Sequence, residues 1–266
     1  MKRVSSTLLI LLASLGAVRG ETNGVLITDV AFTAACDGTE QRYVLLLPAG
    51  FKAGQPHDLL IALHGHGSDR WQFVRDPRPE CRAARDVAAA RAMIYVSPDY
   101  RARTSWMGPK AEADVVQIIG ELKRTYGARR VFLCGASMGG MASLAFAALH
   151  PELVDGVASM NGIANLIEYA GFPDAIAASF GGSKAAMPDE YRKRSAEFWP
   201  QRFTMPVGIT ASGKDDLAPP HSVVRLANAL KARGLEVLLI YREEMGHLTN
   251  YDDARAVIEF IIQKPK

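Results

Sequence analysis

The chain has 266 residues, of which 48% are hydrophobic and 22% charged, the balance of one large globular domain with a full core rather than an obligate two-domain protein. The formal net charge of +3 resides in Lys2, Arg3 and Arg19, and the other 28 basic residues balance 28 acidic ones. That near-neutral remainder argues against nucleic acid or an anionic membrane as partner.

At the N-terminus, Lys2 and Arg3 precede the apolar run Leu8 to Leu12, with small residues following at Val18 and Gly20. This pattern predicts an export signal over residues 1–20, cut near Gly20. The run falls well short of the roughly 20 residues a membrane span needs, and no cysteine stands near the cut to take a lipid. The expected location is secreted or periplasmic, with residues 21–266 forming a single domain.

Next, "VLITDVAFTAA" and "QRYVLLLP" flank "CDGTE", which predicts an antiparallel hairpin at a sheet edge. Six short apolar runs follow: "LLIAL" (59–63), "MIYVS" (93–97), "VFLC" (131–134), "VDGVASM" (154–160), "PVGITA" (206–211) and "LEVLLIY" (235–241). Segments of helical period separate them. Val115, Ile118, Ile119 and Leu122 share one face, as do Val223, Leu226, Ala227 and Leu230, and Ala254, Val257, Ile258 and Ile261. Gly234 is placed to cap the second of these helices. Strands alternating with helices predict an α/β fold, a mostly parallel central sheet covered on both faces. Residues 161–205 break the alternation and are expected to form a small helical insertion over one end of the sheet.

Three cysteines allow at most one disulfide. Cys134 ends an apolar run and reads as a buried thiol. Cys36 and Cys81 are then the one sensible pair, although three unpaired thiols fit the spacing equally.

The stretch "GASMG" (135–139) stands where a strand meets a helix, the context of a nucleophile elbow: Gly135 and Gly139 remove side chains that would collide in a sharp turn presenting Ser137. A serine needs a base and a group to orient that base. In "EMGHLTN", His247 lies in a loop after the last strand, able to reach across the strand ends, whereas His57, His150 and His221 adjoin element ends elsewhere. After "PVGITA", the segment "SGKDDLAPP" offers Asp215 and Asp216, of which Asp215 is preferred as the acid. Backbone N–H groups of Met138 and of His66, in "HGHGS", are the expected oxyanion donors. Tyr100 and Trp106 follow the strand 93–97 and are placed to wall a substrate pocket, or simply to pack beneath the insertion. A metal site from His64 and His66 lacks a third ligand nearby, and no cofactor or metal is expected.

In this order, "LHGHGS", "GASMGG", "SGKDDLAPP" and "MGHLTNYDDA" resemble the α/β-hydrolase superfamily across nearly the whole chain beyond the signal. "SPDYRARTSW" and "GASMGG" resemble its prolyl-oligopeptidase-like and polysaccharide-esterase-like branch, of feruloyl or acetylxylan esterase type. The resemblance implies a catalytic acid four residues before a proline, the spacing from Asp215 to Pro219. Two departures from the peptidases stand out: "YRAR" lacks the glycine of "YRGS", and no propeller is expected ahead of the catalytic region. The expected activity is a secreted serine esterase, EC 3.1.1 in type, using Ser137, His247 and Asp215 through an acyl-enzyme. Its expected partner is a small-molecule or saccharide ester. A small serine peptidase, or a hydrolase fold used only for binding, are the other readings.

Overall fold

The apolar runs become strands because alternate side chains enter opposite faces of one sheet. A computed structural model of the protein describes residues 19–22 and 25–264. Among these, nine strands form the sheet: β1 (Arg19–Thr22), β2 (Val25–Thr33), β3 (Glu40–Leu47), β4 (His57–Leu63), β5 (Ile94–Pro98), β6 (Ala128–Ala136), β7 (Gly156–Met160), β8 (Val207–Ser212) and β9 (Val237–Arg242). Their order is β1-β2-β3-β5-β4-β6-β7-β8-β9. All pairings from β5 to β9 are parallel, and the three at the β1 end are antiparallel. The mostly parallel sheet is therefore as expected, with the hairpin at its edge extended by β1. Of the expected signal, only Arg19 and Gly20 fall within the described residues, in β1.

Eight α-helices are described with them: α1 (Gln72–Arg75), α2 (Pro79–Ala90), α3 (Pro109–Tyr126), α4 (Met138–Leu149), α5 (Pro173–Phe180), α6 (Pro188–Lys193), α7 (His221–Ala232) and α8 (Tyr251–Gln263). The period of two sorts the core. Leu59, Ile61, Leu63, Val131 and Leu133 face α3, α4 and α7, while Leu60, Ala62, Phe132 and Cys134 face α2 and α8. Among the described residues, no helix is long and apolar enough to cross a membrane.

Sequence reading missed α2, whose buried face holds Glu80 beside the small apolar residues Cys81, Ala83, Ala84, Val87 and Ala88, too small in area to stand out as a hydrophobic stripe. That helix decides the cysteine question. Cys81 is buried against α8, whereas Cys36 is exposed in the β2–β3 turn with its thiol beside Arg101, and all three cysteines are free. The Cys36–Cys81 pairing is thereby corrected.

Between β7 and β8, α5, α6 and two 3₁₀ turns, at 196–198 and 200–202, build a helical excursion. Arg194 fastens it. Its fully buried side chain donates to Glu112 Oε2 at 2.7 Å, and Glu112 also bonds His150 Nε2 at 2.9 Å. Burial by itself would raise the Glu112 pKa, but the hydrogen bond from His150 and the charge of Arg194 outweigh it and hold the carboxyl at about 2.

The first turn of α4 presses so closely on the end of β4 that a Cβ at Gly139 would collide with the Leu63 carbonyl. At Gly120, exposed within α3, a Cβ would meet nothing within 4 Å. Gly120→Ala is expected to raise stability by about 1 kcal/mol, and Gly139→Ala to lower it by about 3 kcal/mol. Urea unfolding of the two variants checks both signs.

Candidate active site

Ser137 joins β6 to α4 with φ 58° and ψ −121°, a backbone conformation rarely adopted by a residue with a side chain. The turn is held at both ends: Ser137 N–H donates to the Met160 carbonyl at 2.9 Å, and the Ser137 carbonyl accepts from Met141 N–H at 3.0 Å. Glycine is required on either side, since a Cβ at Gly135 would strike the backbone of Gly139. Strain of this kind costs on the order of 1–3 kcal/mol and persists only where the surroundings over-determine it.

His247 follows β9 and lies in reach of the same turn; its Nδ1 is 2.7 Å from Asp215 Oδ2. The remaining lone pairs of Asp215 are filled by Asn161 Nδ2 at 3.0 Å and by the N–H groups of Leu217 and Ala218 at 3.0 and 2.8 Å. Burial of this carboxyl tends to raise its pKa, but the hydrogen bonds from His247, Asn161 and Ala218 outweigh that effect and hold it below the ordinary carboxylate value. Asp216 is exposed, so the structure brings Asp215 and not its neighbour to the imidazole.

Asn161 was not found from the sequence. It stands one residue beyond β7 with φ 46°, and its side chain donates to Asp215 and to Ser212 Oγ while accepting from Thr210 and Thr249. The discoverable signal was its position at the carboxyl end of a parallel strand, where open α/β sheets place their ligands.

The N–H groups of Met138 and His66 have no protein acceptor among the described residues, while that of Gly65 is occupied by Gln72 Oε1 at 2.7 Å. Both sequence-derived donors are therefore available. Arg70 fixes the loop carrying His66 by bridging Asp29 and Asp99.

Of the two readings for Tyr100 and Trp106, packing holds and a pocket wall does not: Trp106 lies against Tyr169 and Phe172 of the 161–205 segment. Tyr100 and Trp106 are each 1% exposed, so neither offers a free face to a substrate. The Tyr100 hydroxyl donates to the His64 carbonyl at 2.5 Å, and Trp106 Nε1 donates to His66 Nδ1 at 3.1 Å. They brace the His64–Gly67 loop from below. The surface that the sequence assigned to them belongs to Phe172, which stacks on His66 at 4.1 Å between ring centroids and on Trp106 at 5.6 Å, and is 37% exposed. Desolvation lowers the pKa of the His66 ring, which keeps Nδ1 an acceptor for Trp106. His64 is buried with its ring nitrogens against the carbonyls of Gly65 and Asp99.

Ser137 and His247 open onto a cavity of about 80 Å³ that is also lined by Gly65, Gln72, Arg78 and Glu80. A larger groove of about 510 Å³, between the hairpin and α2, is lined mainly by apolar residues such as Leu46, Val74 and Met93 and contains none of these groups.

A serine on a strained strand-to-helix turn, beside a histidine held by a buried carboxylate, defines a serine hydrolase of α/β-hydrolase fold. Residues 86–263 match the model of the prolyl oligopeptidase family, and the chain belongs to that family. No curated protein matches it. Among solved structures, an S-formylglutathione hydrolase from Agrobacterium tumefaciens is similar with a TM-score of 0.70 at 14% identity, over 90% of this chain and 94% of that one. Puromycin hydrolase is similar at 0.70 and 18% identity, over 88% and 38%. An acylaminoacyl peptidase is similar at 0.68 and 18%, over 90% and 42%. The chain thus spans about two fifths of the latter two proteins, and these likenesses concern the fold.

Because hydrogen bonds depress the Asp215 pKa, its charge contributes stability at pH values above the unfolded carboxylate value of about 3.9, and that contribution disappears as pH falls through the lower folded value. The stability gap between wild type and Asp215→Asn should therefore narrow below about pH 4. At neutral pH, Asp215→Asn is expected to reduce kcat about ten-thousand-fold and Asp216→Asn to leave it within a small factor. Steady-state kinetics of the two variants decide the assignment.

Proposed function

We propose that this protein hydrolyses carboxylic esters through an acyl-enzyme on Ser137. The carrying observation is Ser137 at φ 58° on its elbow, sharing one small cavity with a His247 whose Nδ1 is held by Asp215. With Nδ1 engaged, Nε2 is the ring nitrogen left to take the serine proton and return it to the leaving group. The carbonyl oxygen becomes negative at the N–H groups of Met138 and His66, where the positive end of α4 adds to their effect. Asp215 keeps one tautomer of His247 and stabilises the imidazolium formed in the transition state.

Ester chemistry is favoured over peptide cleavage by the leaving group and by space. An alkoxide departs from the tetrahedral intermediate readily, whereas an amine must be protonated in place within a cleft that grips both sides of the bond. The cavity beside His247 has only about 80 Å³, roughly the space of two or three waters. That suits a compact alcohol better than an extended chain. Export to the periplasm or medium belongs to the same reading and rests on residues 1–20 alone.

Membership in the prolyl oligopeptidase family makes a peptidase the competing reading. Turnover of p-nitrophenyl acetate and butyrate is expected to exceed that of an aminoacyl p-nitroanilide; faster anilide cleavage would replace the esterase by the peptidase. Ser137→Ala is expected to lower turnover about a million-fold and to abolish labelling by a fluorescent phosphonate. A variant that kept a tenth of wild-type activity, or a folded wild type that took no label, would remove Ser137 from the role.

A further inference from the structure

Acyl transfer as derived above leaves one ionisable group of the cavity unused. Glu80, 8% exposed, is the second residue of α2, and it lines the cavity together with Ser137, His247 and Arg78. A helix N-terminus accounts for a carboxylate being tolerated there, but not for its facing the catalytic cavity.

The Glu80 carboxylate accepts from its own backbone N–H, which leaves it further lone pairs. Among the described residues the nearest cation to Glu80 is Arg78, with Nε at 3.8 Å, too long for a hydrogen bond. Arg78 is itself steadied by Asp76, through Nε at 2.9 Å and Nη2 at 2.7 Å, which leaves Nη1 without an acceptor among the described residues. The cavity wall next to His247 thus carries one acceptor and one donor with capacity to spare. Burial raises the Glu80 pKa, opposed by the hydrogen bond from its own backbone N–H and by the charge of Arg78.

The chemistry of the reaction says which half of an ester meets this wall. When the tetrahedral intermediate collapses, the C–O bond to the alcohol breaks, its electron pair stays on the alcohol oxygen, and that oxygen takes the proton from His247 Nε2 while the acyl group remains on Ser137 Oγ. The alcohol must therefore lie on the His247 side, where Glu80 and Arg78 are. Neither Trp106 nor Phe172 lines that side. Vicinal hydroxyls match an adjacent acceptor and donor.

We propose that Glu80 and Arg78 form an alcohol-side subsite, Glu80 accepting from and Arg78 donating to neighbouring hydroxyls of a small polyol whose acyl ester is cut at Ser137. This rests on the esterase reading and names its substrate class: esters of polyhydroxylic alcohols.

The test compares kcat/KM for glyceryl monoacetate and ethyl acetate, which share the acyl group, in wild type, Glu80→Ala, Glu80→Gln and Arg78→Ala. Losing a hydrogen bond to a charged group should lower the glyceryl-to-ethyl ratio about tenfold in Glu80→Ala and about fivefold in Arg78→Ala, mainly through KM, with Glu80→Gln in between. Arg78 is half exposed, so its variant carries little risk to the fold. A ratio that stays within about twofold of wild type in both alanine variants overturns the subsite. So does an equal loss on both esters, which would mark Glu80 as a structural residue. Wild type that cleaves neither ester but does cleave an anilide overturns the esterase reading, and the substrate class with it.

Discussion

The close approach of α4 to the end of β4 is the constraint on which the site depends. Gly139 sits against the Leu63 carbonyl with no space for a Cβ, and Gly135 sits likewise against Gly139. With the helix pressed this near, the chain can turn between β6 and α4 only by putting its corner residue at positive φ, and that residue is Ser137. The same approach sets the first N–H of α4 beside the loop that leaves β4 and carries His66. One packing contact thus exposes the hydroxyl and brings a helix N-terminus to the place where negative charge would develop. The strain, on the order of 1–3 kcal/mol, is offset by the buried apolar packing of α4, whose residues are almost all inaccessible to solvent.

Around Asp215 the controlling effect is polar rather than steric. Asn161, Thr210, Ser212 and Thr249 come from three separate segments and bond to one another, with Asn161 also on the carboxylate and Ser212 on the Leu248 carbonyl. In low-dielectric surroundings each such bond is stronger, and each partner left unpaired is more costly, so the network fixes both the acid and the chain on either side of His247. Asn161 accepts a left-handed conformation to take part, as asparagine does more readily than most residues.

The sheet and three of its covering helices were legible in the sequence because their apolar residues are large and keep the periods of two or 3.6. The elbow was legible because its glycines answer to a backbone clash that any reader of the motif can anticipate, and Asp215 and His247 because each follows a strand at the same sheet end. Illegible features have equally physical reasons. Helix α2 buries alanines, so its stripe is faint, and with it went Glu80. Asn161 acts through contacts with Thr210, Ser212, Asp215 and Thr249, residues 49 to 88 positions away, a meeting no local pattern encodes. Tyr100 and Trp106 were placed at the right end of the sheet, but whether they wall a pocket or pack beneath the insertion stayed open, because sequence position fixes the strand end and not the depth of a ring.

The segment between β7 and β8 is built into the site and is not a free cover. Its far side is pinned by the buried Arg194 to Glu112 of α3, and its near side by the Tyr169 hydroxyl, which donates to the Leu217 carbonyl at 2.9 Å, two residues past Asp215. Helix α5 is tied in turn to the loop after β5, where Ser179 Oγ accepts from Gly108 N–H at 3.1 Å. Phe172 opens α5 at positive φ and lays its ring on His66. The exposed aromatic surface is thus positioned by the excursion, while Ser137, His247 and Asp215 are positioned by the sheet. Since Phe172 is held by the excursion and Ser137 by the sheet, a change at the Phe172 ring leaves the elbow in place, whereas any change in the approach of α4 to β4 alters the elbow itself.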